Sequence, residues 1–235
     1  MTALDATPAT DLAAVAARAG DELEGATPQE ILTWALDQWH PRLAITSSMG
    51  DAVLVDIASK IRSGVPVVFL DTGYHFAETI GTRDAVAATY DVTLLTILPH
   101  RTVAEQDAEY GARLYQRDPD LCCAMRKVEP LERGLAPYVA WASGIRRDET
   151  GNRREIKVVE WDPRRAKVKV NPLAAWTEAD VDRYIAENNV LVNPLTYDGY
   201  PSIGCATCTL RVAPGDDPRS GRWAGSTKSE CGLHL

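Results

Sequence analysis

Val65-Pro66-Val67-Val68-Phe69-Leu70-Asp71-Thr72-Gly73 decides the fold. Six residues run without a charge, and an acid-threonine-glycine turn ends them. A run that is apolar on both faces fits a strand buried between two layers, as parallel strands are. Working outward, strand and helix signals alternate. Pro28 to Trp39 reads as a helix, with Thr27 as N-cap and Pro28 at the first helical position. Arg42 to Thr46 is β-like, and Ala52 to Ile61 is apolar and helical. Phe76 to Tyr90 reads as helix, Val92 to Leu98 as strand, and Val139 to Ser143 as another short strand. Thr177 to Asn188 is the last clear helix, opened by the capping pair Thr177 and Asp180.

Strands alternating with helices imply βαβ units, hence an α/β fold with a parallel sheet flanked by helices. In such sheets ligands sit outside the carboxyl ends of the strands. Three polar segments follow strands: Ser47-Ser48-Met49-Gly50-Asp51, Asp71-Thr72-Gly73, and Gly144 to Asp148. They are expected to converge on one crevice. The chain divides into a lead-in over 1–25, disordered or helical, an α/β domain over 26–215, and a C-terminal tail over 216–235. Beyond Asn193 the chain is rich in proline and glycine and reads as loop.

At 235 residues the chain suits one domain with at most a small appendage. A net charge of −8 disfavours nucleic acid as a partner. No apolar run approaches the ~18 residues of a membrane span. Arg18 is the single basic residue before position 26, so no secretory or transit signal is read there, and a cytoplasmic location is expected. Charge is uneven, however. Gly144 to Lys169 holds nine basic residues against five acidic ones, which suits a small anionic ligand or a solvated charged face.

The five cysteines carry the chemistry: Cys122, Cys123, Cys205, Cys208 and Cys231. In a reducing compartment such clusters mean metal or redox chemistry more often than disulfides. Cys205-Ala-Thr-Cys208 has ligand spacing that serves zinc, dithiol and iron–sulfur sites alike. Adjacent cysteines such as Cys122 and Cys123 do not easily share one tetrahedral ion, whereas a four-iron cluster offers each thiolate its own iron. A cluster is therefore favoured over zinc or free buried thiols. Cys231 is left over, near the chain end, where a segment is mobile by default and can alternate between a crevice and another protein.

These residues resemble a known family. Cys122-Cys123, Cys205-Ala-Thr-Cys208 and Glu230-Cys231-Gly232-Leu233-His234 together are similar to the cluster-containing adenosine phosphosulfate reductases. Leu70 to Tyr74, Trp141 to Arg147 and Gly221 to Gly225 agree, so the likeness covers about residues 28 to 235. The resemblance implies an adenine-nucleotide alpha hydrolase-like fold with a mobile C-terminal tail. It implies one 4Fe–4S cluster on Cys122, Cys123, Cys205 and Cys208, with Cys231 as nucleophile. The implied substrate is adenosine 5′-phosphosulfate rather than its 3′-phosphorylated form, and the implied reductant is thioredoxin or a similar protein. It places Lys127 between cluster and substrate and Leu70, Asp71, Thr72 and Gly73 at the adenine. Ser47, Ser48, Gly50 and Asp51 are expected at the anion, and His234 joins the substrate-binding set through the terminal motif. Pyrophosphatases of this fold carry Gly-Gly where Ser48-Met49 stands here.

A thiolate is the attacking form of cysteine, and an anionic substrate needs cations beside it. Arg146, Arg147, Arg219, Arg222 and Lys127 are the candidates. Rival readings are a reductase of the 3′-phosphorylated nucleotide, an adenylyltransferase or pyrophosphatase of the same fold, an iron–sulfur sensor, and a zinc-stabilised nucleotide-binding module. A homo-oligomer is compatible with the sequence.

Overall fold

The computed structural model describes residues 9–224, 228 and 230–233. A six-stranded sheet runs through it in the order β3-β2-β1-β4-β6-β5. The strands are β1 (Leu43–Thr46), β2 (Val65–Leu70), β3 (Val92–Ile97), β4 (Ala140–Ser143), β5 (Val159–Asp162) and β6 (Lys167–Val170). All neighbours are parallel except β5 and β6, an antiparallel pair at one edge. The chain first builds outward from β1 through β2 to β3, then returns to place β4 on the other side of β1. Strand order therefore reverses between β1 and β4, where α/β sheets open a ligand crevice at their carboxyl ends.

Side chains alternate across this sheet as a two-residue period requires. Leu43, Ile45, Val67, Phe69, Ala140 and Ala142 join the larger apolar cluster, while Ala44, Val68 and Trp141 join a smaller one on the opposite face. Helices α1 (Ala9–Glu22), α2 (Pro28–Trp39) and α3 (Val53–Ile61) supply the larger cluster. Val86 of α4 (Ala77–Thr89) and Val181 of α9 (Glu178–Asn188) also enter it. The smaller cluster is closed by Leu131 and Leu135 of α8 (Glu129–Leu135). Thr27 and Thr177 each cap a helix through a reciprocal box, with Glu30 and Asp180 as partners.

The lead-in belongs to the same core. Leu12, Ala16 and Ala19 bury one stripe of α1 in the larger cluster, against β5 and β6. Gly20 lets that helix approach closely, because a Cβ there would stand 2.4 Å from the Val159 carbonyl oxygen.

Two regions depart from the sequence expectations. Between β3 and β4 lie short helices α5 (Val103–Tyr110), α6 (Leu114–Arg117) and α7 (Pro119–Cys123), then a π-helical turn, Ala124–Val128, that runs into α8. The basic stretch from Gly144 to Lys169 contains the β5–β6 hairpin and is not an open cationic surface. Lys169 pairs with Glu160, Arg165 with Asp162, Lys157 with Asp21, and Arg164 with Glu132. Acidic partners from this stretch and from distant elements offset the local positive excess. No helix among the described residues is long and apolar enough to cross a membrane.

Candidate active site

A crevice of about 590 Å³ opens at the switch point, within the size range of small-molecule sites. Its floor is formed by the ends of β1, β2 and β4, where Ser47, Ser48, Gly50, Asp51, Leu70, Thr72, Gly144 and Arg146 line it. The loop after β1 is held tightly. Met49 occupies the left-handed region at φ 60°, a conformation uncommon outside glycine, and its side chain is fully buried. Asn193 secures the turn: its Nδ2 donates to the Met49 carbonyl at 3.0 Å, and its backbone N–H donates to Gly50 at 2.9 Å. A methionine thus takes a backbone shape that glycine would adopt without strain.

Hydroxyl and carboxylate roles in this loop are partly local. Ser47 Oγ accepts from the Met49 N–H at 3.2 Å, and Asp51 Oδ1 accepts from Val53 N–H at 2.9 Å at the start of α3. Burial pushes the Asp51 carboxyl above its usual range, with the Val53 hydrogen bond and Arg146 acting the other way. In the turn after β2, Asp71 Oδ1 accepts from Gly73 N–H at 3.0 Å, and Gly73 takes φ 72°. Leu70 and Thr72 line the crevice; Asp71 turns to Arg83 at 3.9 Å, and Gly73 lies beside Arg126 and Val103.

The five expected cations divide. Lys127, Arg146, Arg219 and Arg222 line the crevice. Arg147 does not: its Nε donates to the Ile156 carbonyl at 2.8 Å and its guanidinium meets Glu24 at 2.6 Å, beside the end of α1. Its carboxylate partner lies in the lead-in, which the sequence could not bring to it. Arg222 Nη1 donates to Ser202 Oγ at 3.1 Å, and its guanidinium stacks over Trp223 with 4.6 Å to the ring centroid. Burial draws the Lys127 ammonium down, but Cys205, Cys231 and Cys123 together outweigh it and leave the group above its usual value.

Cys231 and Leu233 of the tail also line this crevice. Leu233 packs on the smaller apolar cluster of Val68, Leu131 and Trp141. His234 lies outside the described residues. The remaining four thiols line a second, smaller pocket together with Tyr74, Tyr115, Arg126 and Lys127. Cys122 and Cys123 reach it from the end of α7, and Cys205 and Cys208 from a 3₁₀ turn, Ala206–Cys208, and its preceding residue. Lys127 and Cys205 border both pockets.

Four sulfurs around one pocket are a donor set suited to iron–sulfur chemistry. Burial, and then the neighbouring Cys123, Cys205 and Cys208, push the Cys122 thiol up to about 12, with Arg126 acting the other way. Among the described residues no three acid, histidine or cysteine groups are placed to hold a single metal ion. Four thiols on one pocket, two of them adjacent, are by their chemistry the donor set of a four-iron cluster, one thiolate to each iron.

Asn193, Glu149 and Arg153 were not singled out by sequence as site residues. Arg153 stood only as one charge of a basic stretch, and Asn193 only as the start of a loop. Arg153 and Asn193 take their places through contacts across 77 and 144 residues, and Glu149 follows as the local partner of Arg146 and Arg153.

The sheet order and crevice define a nucleotide-binding α/β protein of the adenine-nucleotide alpha hydrolase-like type. Residues 42–211 match the phosphoadenosine phosphosulfate reductase domain, and the chain belongs to that family. It is 60% identical over 224 residues to adenosine 5′-phosphosulfate reductase of Streptomyces coelicolor, covering 95% of each chain. A crystal structure of phosphoadenylyl-sulfate reductase from Candida auris, in a phosphate complex, superposes with a TM-score of 0.71 at 30% identity, covering 83% of this chain and 96% of that one. The FMN adenylyltransferase of Candida glabrata shares the fold alone, with a TM-score of 0.56 at 18% identity over 88% of this chain and 68% of that one.

Proposed function

We propose that this chain reduces adenosine 5′-phosphosulfate to sulfite and AMP, with Cys231 as the nucleophile. One observation carries the proposal: Cys231 lines the nucleotide-sized crevice and not the smaller pocket, which the other four thiols share and which Cys205 joins to the crevice. Likeness to the Streptomyces reductase supplies the substrate class.

The Cys231 thiolate attacks the sulfur of the phosphosulfate, the bond from that sulfur to the bridging oxygen breaks, and AMP leaves with the electron pair. The product is a cysteine S-sulfonate. A thiol of a reductant such as thioredoxin then attacks the Cys231 sulfur and releases sulfite, and a second thiol resolves the mixed disulfide. Two thiols are oxidised to one disulfide, which accounts for both electrons. Lys127, Arg146 and Arg222 supply positive charge where the anionic groups develop. Ser47, Ser48 and Gly50 with Asp51 form the loop nearest the anion, and Leu70 to Gly73 meet the adenine through backbone groups.

Cys122, Cys123, Cys205 and Cys208 would hold one 4Fe–4S cluster. When bound, it would tie α7 to the 205–208 loop and supply a charge centre beside Lys127. All five cysteines are free thiols, in keeping with the reducing cytoplasm as the place of work.

The test is sulfite release by anaerobically prepared protein with thioredoxin and each nucleotide in turn. Sulfite from the 5′-phosphosulfate supports the proposal. Release of pyrophosphate from ATP with no sulfite would replace it with an adenylyltransferase.

A further inference from the structure

The tail is gripped by a side chain that the reaction scheme does not use. Arg153 closes a 3₁₀ turn, Gly151–Arg153, in the loop between β4 and β5. Its Nε donates to Glu230 Oε1 at 3.1 Å and its Nη2 to Glu230 Oε2 at 3.0 Å, the two-pronged fit of a planar guanidinium to a carboxylate. Its third nitrogen, Nη1, donates to Glu149. Glu149 is itself fixed by the Arg146 backbone N–H at 2.8 Å. Both side chains of the Arg153–Glu230 pair are only 10% exposed, so water competes little for either. Arg219 reaches the same carboxylate at 3.5 Å.

We propose that Arg153 is a positioning residue for the tail: oriented by Glu149, it clasps Glu230 and so seats the adjoining Cys231 in the crevice. The proposal rests on Cys231 being the reacting thiol. The clasp explains why an acidic residue stands directly before that thiol. Glu230 has its charge matched by Arg153 and Arg219, so it serves as a handle and leaves Lys127 and Arg222 to act on the sulfur. The handle also divides the two phases of the reaction. Substrate attack needs Cys231 inside the crevice; the meeting with a protein thiol needs the S-sulfonate outside it. A grip made of ion pairs to one carboxylate at the crevice wall can open without unpacking the sheet.

The experiment compares holoprotein with Glu230→Gln, Arg153→Met and the double variant. Two quantities are read with AMP bound: the rate at which iodoacetamide alkylates Cys231, located by peptide mass, and the amount of AMP bound. Each single variant is expected to alkylate roughly ten- to a hundredfold faster, as loss of a charged hydrogen-bond pair implies. The double variant should be no faster than Glu230→Gln alone, since that substitution already removes the Arg153 contact along with the Arg219 one. AMP should still bind to Glu230→Gln, which separates a loosened tail from a collapsed crevice. If Arg153→Met does not fold, Arg153→Lys keeps the charge and loses the fork, and it should fall between parent and Glu230→Gln.

Parent-like alkylation in the singles, or effects that multiply in the double, would overturn the clasp. Failure of the reductase proposal looks different: parent protein would give no S-sulfonate, whatever the alkylation rates do.

Discussion

Thr72 Oγ1 lies 3.3 Å from Cys205 Sγ, and both residues are buried. The turn that ends β2 is thus joined directly to the loop that carries the second cysteine pair. The same hydroxyl accepts from the Tyr74 N–H at 3.2 Å. Thr72→Val keeps the shape and removes both interactions, leaving an N–H without its acceptor. The expected loss is about 1–3 kcal/mol of stability. Calorimetry should show a lower midpoint, and a chelator should strip iron from the variant faster than from the parent.

Cys123 lines only the smaller pocket and Cys231 only the crevice, which predicts separable defects. Cys123→Ser should lose iron and most activity together. Cys231→Ser should keep about four irons per chain, the stoichiometry of one cluster, and bind AMP, yet release no sulfite. Iron analysis beside a sulfite assay checks both. Near-normal turnover by Cys231→Ser would remove it from the chemistry.

The crevice wall also carries Asp148, Glu178 and Asp182, while Arg147 is turned away to Glu24. Asp148 is paired with Arg146 at 3.0 Å, and Glu178 and Asp182 add carboxylates to the lining, so an extra 3′-phosphate brings negative charge to a crevice that already carries it. The 5′-phosphosulfate should therefore exceed its 3′-phosphorylated form in kcat/KM by roughly tenfold or more, the equivalent of one like-charge contact of ~1.4 kcal/mol. Steady-state kinetics with both nucleotides decides this, and equal values would contradict it.

Gly20 tests how α1 is docked. Alanine in a helix interior is favoured over glycine by about 1 kcal/mol. Here the added methyl would meet the Val159 carbonyl oxygen at 2.4 Å, and backbone cannot turn aside as a side chain can. Overpacking costs about 1–3 kcal/mol. Gly20→Ala is thus expected to lower the denaturant midpoint despite its better helix propensity.

Thr177 holds Asp180 down to about 2 through side-chain and backbone hydrogen bonds, with Arg183 adding to them. A carboxylate depressed in the folded state stabilises it above the unfolded value of ~3.9 and loses that contribution as pH falls toward 2. Asp180→Asn should be less stable than the parent near neutrality, and the two unfolding curves should converge as pH drops from about 4 to 2.

Local signals carried the centre of the fold. The apolar run at Val65 to Leu70 is β2 residue for residue, and Thr27 and Thr177 cap the helices that their sequences announce. The β5–β6 hairpin was hidden because its alternation, Lys167-Val168-Lys169-Val170, puts lysines where strand residues are buried, and the match for Lys169 is Glu160, across the pair of strands. Helices α5 to α7 were missed because they are short and polar. At the site, residue type exposed the cysteines and most of the cations. Direction did not follow from type: Arg147 and Arg146 are neighbours, yet only Arg146 faces the crevice. The lead-in looked separable since its alanines are weakly apolar; their small size is what lets α1 lie close to the hairpin.

The π-helical turn at Ala124–Val128 has a bearing on which sequence changes this region can absorb. Such a turn holds one residue more than the α-helix it interrupts. Removing one of the five would let the backbone close to regular α-helix with the segments on either side still in phase. Closing it with all five residues kept would instead turn everything beyond by about 100°, the angle per residue. Leu131 and Leu135 would then swing off the sheet, while Cys122 and Cys123 upstream stayed where they were. A further inserted residue should therefore be harsher here than a single deletion. What the wide turn sets is an angle, a phase between the thiol pocket and the sheet.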